Sequence, residues 1–475
     1  MEYIEPSNST SLPKVISLPL GQKREVLSEA RHFEGPISGP MWKKVRSLKS
    51  SYDDKFDWSI YDKIAARFGD KPPRGGVVFK TTFKLLNHHS SCSRCHYSFE
   101  IDCYGRGCTF NCLYCYAKEQ LFAHKYWNQP IPFPVDLSEV RKVFHTVLET
   151  DRRSKWRSII ENRIPLRIGS MSDSFMWMDR KYGVTKELLN ILRFYKYPHI
   201  IFTRSDLIAD GEYLDLLDPR YSSVQFSISG GNEKLTKLLE PGAPSVARRL
   251  EALKTLSESG IWTTVRINPL FPIYPDGYFS DRFSVKKRFG SVENIPKFEL
   301  FDWSFVEELA QSKVPSIVVG FVRLSTWNMN NISKATGIDI KSFFRPDLFQ
   351  GNEDRYFSDS EIAFYYKKIQ GLAATHKIRF NTCYIGNGIK DYFQYQDLWS
   401  NKQDCCDSKG NVARFKNSSQ DISWDERIQH ASCKDSARLS QQLDQKSEMD
   451  FISPLKGNPV VMKKNVTLPL EDSHV

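Results

Sequence analysis

Between Tyr97 and Val322 the chain repeats one pattern: an apolar run of strand length, a segment with helical spacing, then another strand. The runs are Tyr97 to Asp102, Leu166 to Gly169, His199 to Thr203, Val224 to Ser229, Trp262 to Asn268 and Ser316 to Val322. Among the intervening segments, Leu188, Ile191, Leu192 and Tyr195 share one helical face. Val246, Leu250 and Leu253 share another, with Ser245 as the expected N-cap and Gly260 as the expected C′ residue. Strands alternating with helices predict a parallel α/β architecture, and the pattern suits an open doubly wound sheet and a barrel alike. Barrels of this kind place their chemistry at the C-terminal ends of the strands.

The first strand runs into Gly107-Cys108-Thr109-Phe110-Asn111-Cys112-Leu113-Tyr114-Cys115-Tyr116, where three cysteines stand at the spacing C-x3-C-x2-C. Three thiolates can hold three irons of a cubane cluster and leave the fourth with an open coordination site. The competing reading is a zinc knuckle. Zinc ligands usually come as two separated arms, whereas here three crowd into eight residues.

The content of 40% hydrophobic and 13% aromatic residues in 475 is enough for a sizeable core, read as one large domain with appendages. No stretch approaches the roughly 18 uninterrupted apolar residues of a membrane helix, and the first residues lack a signal-peptide pattern, so a cytoplasmic protein with no membrane partner is expected. Ten cysteines, six of them between Cys92 and Cys115, read as reduced, metal-binding thiols rather than as a secreted disulfide framework. The formal net charge of +11 favours a polyanionic partner, with nucleic acid the leading class.

With Tyr114 in its aromatic slot, the cysteine segment resembles the signature C-x3-C-x-aromatic-C of the radical S-adenosylmethionine (SAM) superfamily. Further stretches resemble its spore photoproduct lyase-like (DNA repair photolyase-like) group. They are Gly169-Ser170-Met171-Ser172-Asp173-Ser174, Phe202-Thr203-Arg204-Ser205, Ser227-Ile228-Ser229, Leu239-Glu240-Pro241-Gly242-Ala243-Pro244 and Arg266-Ile267-Asn268-Pro269. The resemblance implies a partial (β/α)6 TIM-like barrel holding a [4Fe-4S] cluster, with SAM on the open iron. Reductive cleavage would then release a 5′-deoxyadenosyl radical that abstracts hydrogen from a substrate. A one-electron reductant, flavodoxin or ferredoxin, is implied as a partner.

Carried onto this sequence, the resemblance makes Cys108, Cys112 and Cys115 the cluster ligands and Tyr114 the aromatic beside the adenine. Ser172 and Asp173 stand where relatives contact the methionyl amine; a polar pair at a strand end is also ordinary turn chemistry. Arg204 takes the place of a lysine facing the methionine carboxylate, and its planar fork suits that group; the alternative is a surface arginine. Ser227 and Ser229 share one face of the fourth strand, as cofactor contacts or as small core residues. Asn268 is a candidate for the ribose or adenine. One departure concerns the product. Where spore photoproduct lyases place a hydrogen-donor cysteine this chain has Ser170, whose O–H bond is too strong to quench a carbon radical as a thiol does. Cys383, ending a further predicted strand at Lys377 to Cys383, is a candidate donor or a buried structural thiol.

Cys92 and Cys95 are candidates for a second metal site, an auxiliary cluster or a zinc, with His88 and His89 nearby; Cys103, Cys405, Cys406 and Cys433 complete the set. The expected organisation is a partly irregular N-terminal extension (1–90), the core barrel (91–330), a C-terminal extension with the further strand and cysteines (331–435) and a flexible tail (436–475), the chain beyond Gln403 lacking a packed core of its own. The function expected is a radical SAM enzyme, lyase-like, with the substrate open. The alternatives are radical modification of a peptide or small metabolite, or a zinc-stabilised nucleic-acid-binding protein without catalysis.

Overall fold

Seven parallel strands follow one another across a single sheet in the order in which they occur along the chain. They are β1 (Phe99–Ile101), β2 (Leu166–Ile168), β3 (His199–Thr203), β4 (Ser222–Ser227), β5 (Trp262–Leu270), β6 (Ser316–Phe321) and β7 (Arg379–Thr382). An eighth, two-residue strand, Lys84–Leu85, pairs antiparallel with β1 at the edge. The computed structural model describes residues 84–85, 97, 99–105, 107–123, 132–135, 137–161, 163–271, 289–343, 349–350, 354–355, 357, 359–383, 395–402, 405–408 and 412. Cys92, Cys95, His88, His89, Cys433, the tail and nearly all of the N-terminal extension lie outside them.

The strand order decides between the two architectures. A doubly wound sheet reverses direction at a switch point; here every crossover steps the same way, from β1 through to β7, as in a barrel. The sheet does not close, so the architecture is a partial barrel. The crossovers carry α1 (Tyr116–Ala123), α2 (Ser138–Leu148), α3 (Val184–Phe194), α4 (Glu233–Leu239), α5 (Val246–Glu258), α6 (Ser304–Gln311), α7 (Thr326–Thr336) and α8 (Asp359–Thr375). Ser245 caps α5, its side chain accepting Arg248 N at 3.3 Å, and Gly260 follows that helix at φ +81°, where a Cβ would be strained. Among the described residues no helix is long and apolar enough to cross a membrane.

Alternation sorts the two faces of the sheet. Ile101, Ile168, Ile201, Val224, Phe226, Val265, Ile267, Ile317 and Val319 join Leu188, Leu192, Leu250 and Leu253 of the helices in one continuous core. The other face is largely polar and still buried: Glu100 pairs with Arg167 of β2, and Arg266 Nη1 donates to Gln225 Oε1 at 2.6 Å. Those polar inner positions explain why β4 starts two residues ahead of the apolar run that announces it. Ser222 and Ser223 register with His199 and Ile200 although neither is apolar. At the β5–β6 edge the ladder shifts between Ile267 and Leu270, around Pro269, which has no N–H to give.

The N-terminal end of the barrel is filled from far along the chain. Residues 405–408 are all buried there. Asp407 accepts Ser316 Oγ at 2.7 Å and Arg379 Nε and Nη2 at 2.7 and 2.8 Å, while Trp262 Nε1 donates to its carbonyl at 2.7 Å. Ser408 Oγ lies 3.1 Å from Ser223 Oγ, and Gln225 Nε2 donates to Cys406 O at 2.7 Å. These four residues beyond Gln403 pack onto the barrel strands. Hydropathy ranks Asp407 and Ser408 as solvated, but every polar group named here is matched by a strand-end donor or acceptor.

Candidate active site

Immediately after β1 the chain forms the cysteine loop, and α1 begins directly after Cys115. Two tight turns shape it, Asn111 N donating to Cys108 O at 3.2 Å and Cys115 N to Cys112 O at 3.3 Å, with Asn111 at φ +49°, a region asparagine tolerates. Neighbours clamp it from several sides. Leu113 N donates to Leu239 O at the end of α4 (2.8 Å), Asn328 Nδ2 of α7 donates to Leu113 O (2.9 Å), and Gly242 N donates to Phe110 O (3.1 Å). Gly242 lies so close that a Cβ there would stand 2.0 Å from Thr109 O. The Leu239–Pro244 segment is therefore a backbone support for the cysteine loop.

Cys112 is buried, while Cys108 and Cys115 are half-buried, and none of the three is in a disulfide. Burial pushes the Cys108 thiol up to about 12, helped by the nearby Asp173 carboxylate. Cys112 is also raised by burial, with Arg204 opposing and Glu240 reinforcing the rise. The Cys108 and Cys112 thiols so placed stay protonated until a metal takes the proton's place. Among the described residues no three His, Cys, Asp or Glu side chains converge at the spacing of a single ion. Ligands that each take a separate iron need not meet at one point.

The ends of β2, β3 and β4 face this loop. Asp173 is buried, accepts Thr203 Oγ1 at 2.9 and 3.0 Å and Arg204 N at 2.7 Å, and is raised above the usual carboxylate range by burial, against these hydrogen bonds. Arg204 leans over the Tyr114 ring, 5.7 Å from its centroid, with Nη2 3.4 Å from the Tyr114 hydroxyl. Arg204 Nε is buried, makes no hydrogen bond among the described residues and faces Glu240 Oε1 at 3.5 Å as an ion pair. Ser229 Oγ is 3.3 Å from the Tyr114 hydroxyl. Tyr114 itself is buried against Phe271, with its hydroxyl donating to Glu240.

The other anticipated residues lie around this centre in different ways. Ser172 donates its hydroxyl to Tyr104 O at 2.7 Å, and Ser227 offers its carbonyl to Arg249 Nη1 at 3.0 Å. The Asn268 side chain covers Gly320, where a Cβ would come within 2.8 Å of it. Ser170 is tied to Asp102 through its amide (2.9 Å) and hydroxyl (3.1 Å). Cys383 follows β7, half-buried, its sulfur 3.1 Å from Arg266 Nη2, with Cys406 Sγ 3.7 Å from Nη1 of the same guanidinium.

Three side chains escaped the sequence reading. Asp102 gathers the amides of residues 170, 171 and 172 (2.9, 3.0 and 3.3 Å) and so builds the turn that carries Ser172 and Asp173. Glu240 and Arg249, both buried, pair at 2.5 Å behind the loop. The only available signal was the Glu-Pro-Gly-Ala-Pro segment running into Arg248-Arg249, which does not reveal that the carboxylate turns inward.

Residues 103–281 match the sequence model of the Radical SAM superfamily, and the chain carries a radical SAM domain. It is similar to an uncharacterized protein of Methanocaldococcus jannaschii, at 27% identity over 202 residues, 42% of this chain and 67% of that protein. It is also similar to a radical SAM Nα-GlyT isomerase of Pseudomonas phage M6, at 28% identity over 171 residues, 36% of this chain and 32% of the phage protein. Uncharacterized proteins of Mycobacterium tuberculosis match at 22% identity over 59% of their own length. Among solved structures, spore photoproduct lyase with bound AdoMet and dinucleoside spore photoproduct aligns with a TM-score of 0.44 at 14% identity, over 64% of this chain and 80% of the lyase. The superfamily supports an enzyme running the generic radical SAM reaction and implies a [4Fe-4S] cluster, SAM and an electron donor.

Proposed function

We propose that the chain is a cytoplasmic radical SAM enzyme of the spore photoproduct lyase-like group, with Cys108, Cys112 and Cys115 as cluster ligands and nucleic acid as the leading substrate class. The observation that carries the reading is the clamped loop that presents the three thiols beside the ends of β2, β3 and β4. When bound, the cluster and SAM supply a 5′-deoxyadenosyl radical that abstracts hydrogen from the substrate.

The protein's own part is to hold and exclude. Arg204, half-buried at the end of β3 with its planar fork beside Tyr114, would take the cofactor's carboxylate. Asp173 fixes the backbone of Arg204, and Ser172, Ser227, Ser229, Asn268 and the Tyr114 ring line the cofactor's surroundings. Flavodoxin or ferredoxin would deliver the electron. The net charge of +11 supports a polyanionic substrate.

Anaerobic reconstitution with iron and sulfide tests the reading. The expected result is a broad absorbance in the visible blue and 5′-deoxyadenosine on reduction with SAM; stoichiometric zinc with no such product would sink it. Deuterated UV-irradiated DNA and deuterated tRNA, offered in parallel, should pass deuterium into 5′-deoxyadenosine if either is the substrate. Label from neither would remove nucleic acid as the substrate class.

Cys383 is the candidate hydrogen donor, because the O–H bond of Ser170 is too strong to quench a carbon radical whereas Cys383 offers a half-buried thiol beside Arg266. In Cys383→Ala, deuterium transfer into 5′-deoxyadenosine should persist while product yield falls. Unchanged product yield would leave Cys383 a structural thiol.

A further inference from the structure

Behind the cysteine loop a single buried carboxylate touches three different parts of the barrel. Glu240 directly follows α4 and is 2% exposed. Its Oε1 accepts the Tyr114 hydroxyl and stands 3.5 Å from Arg204 Nε, and its Oε2 stands 2.5 Å from Arg249 Nη2. One side chain thereby links the loop between Cys112 and Cys115, the residue after β3 and the second turn of α5. Burial alone would neutralise it, yet the Arg249 and Arg204 guanidiniums and the Tyr114 hydroxyl hold its carboxyl below the usual range. Two guanidiniums and one carboxylate leave one positive charge beside Cys112.

We infer that Glu240 is a positioning residue for the radical chemistry: it sets where the Tyr114 ring and the Arg204 guanidinium stand relative to Cys112, and takes no part in bond breaking. The inference rests on the cluster reading above. Its reason lies in what a carboxylate can do that packing cannot. A buried ion pair adds little net stability over well-packed apolar residues, so stability alone does not explain why three cationic or hydroxyl groups meet here. The Tyr114 hydroxyl bond to Glu240 is directional, and the two guanidiniums are held beside it as ion pairs. Arg249 is already anchored by the Pro244 and Ser227 carbonyls, at 2.8 and 3.0 Å, so it forms a fixed post. Glu240 transmits that fixed point to Tyr114 and Arg204, the two side chains that border the thiols. Outer partners of this kind orient the groups that meet a metal or its ligands.

The test uses the full chain with two substitutions. Glu240→Gln keeps the shape and removes the charge; Tyr114→Phe removes only the hydroxyl that Glu240 accepts and leaves the Glu240–Arg249 pair intact. In the iron-free protein, iodoacetamide should modify Cys112 about tenfold faster in both variants than in wild type, as expected when a hydrogen bond to a charged group is lost. After reconstitution, the KM for SAM in 5′-deoxyadenosine formation should rise about 10- to 100-fold, with a smaller change in kcat. If Glu240→Gln does not fold, Tyr114→Phe decides alone. Wild-type Cys112 labelling and wild-type KM in the folded variants, with wild type itself active, would overturn the role of Glu240 and leave the cluster reading standing. A wild-type protein that takes up no cluster would overturn both.

Discussion

Cys112→Ala should emerge from anaerobic reconstitution without the visible absorbance of a cubane cluster, and its yield of 5′-deoxyadenosine should fall by at least about 100-fold, to background. With three thiols for three irons, no described cysteine is placed to substitute. Cys103, five residues before the motif, is fully buried, and burial pushes its thiol well above the ordinary range, with Ser174 opposing and Asp179 adding to the rise. Cys383 and Cys406 are engaged around Arg266. The fold should survive. Cys112 is held through the backbone of its neighbours, and trimming one buried thiol to a methyl costs on the order of 1 kcal/mol. The variant therefore separates cluster binding from folding: circular dichroism and melting near wild type, iron content and cofactor cleavage lost. Retained iron together with retained 5′-deoxyadenosine would refute the ligand assignment. A Cys103→Ala protein should keep both.

How much of this could be read beforehand follows from which side of the sheet a residue faces. The outer positions of the strands are apolar and obey period two, so β2, β3, β5 and β6 fall close to their expected ranges. The inner positions are filled by Glu100, Arg167, Gln225 and Arg266, all buried and all invisible to hydropathy, which is why the start of β4 and the burial of Asp407 and Ser408 had no signal. The choice between barrel and doubly wound sheet was likewise closed to pattern reading, because it depends on which strands are neighbours, and that is a long-range fact.

At the site the difference is between local and distant partners. Three cysteines within eight residues announce themselves through spacing, and Arg204 and Asp173 sit at strand ends that periodicity can locate. Glu240 and Arg249 cannot be found that way. They are nine residues apart, on either side of a Pro-Gly-Ala-Pro segment, and only the chain's turn through Gly242, which brings its amide to Phe110 O, puts both behind Tyr114.

That pair carries the second large effect. Arg249→Met should lower the stability of the iron-free protein by about 3–5 kcal/mol, read as a drop in the denaturant midpoint. Arg249 is completely buried and spends its guanidinium on Pro244 O, Ser227 O and Glu240 Oε2. Methionine fills much of the volume, so the cost is electrostatic rather than a cavity. It leaves two carbonyls without their donor and a carboxylate, 2% exposed, facing Arg204 Nε at 3.5 Å as its remaining cation among the described residues. A cycle distinguishes this from general damage to α5. Adding Glu240→Gln to Arg249→Met removes the uncompensated charge, so it should cost much less than Glu240→Gln costs in wild type, or should restore stability outright. Additive losses would mean that the two side chains act independently, and an Arg249→Met protein as stable as wild type would mean that Glu240 finds its compensation elsewhere in the barrel.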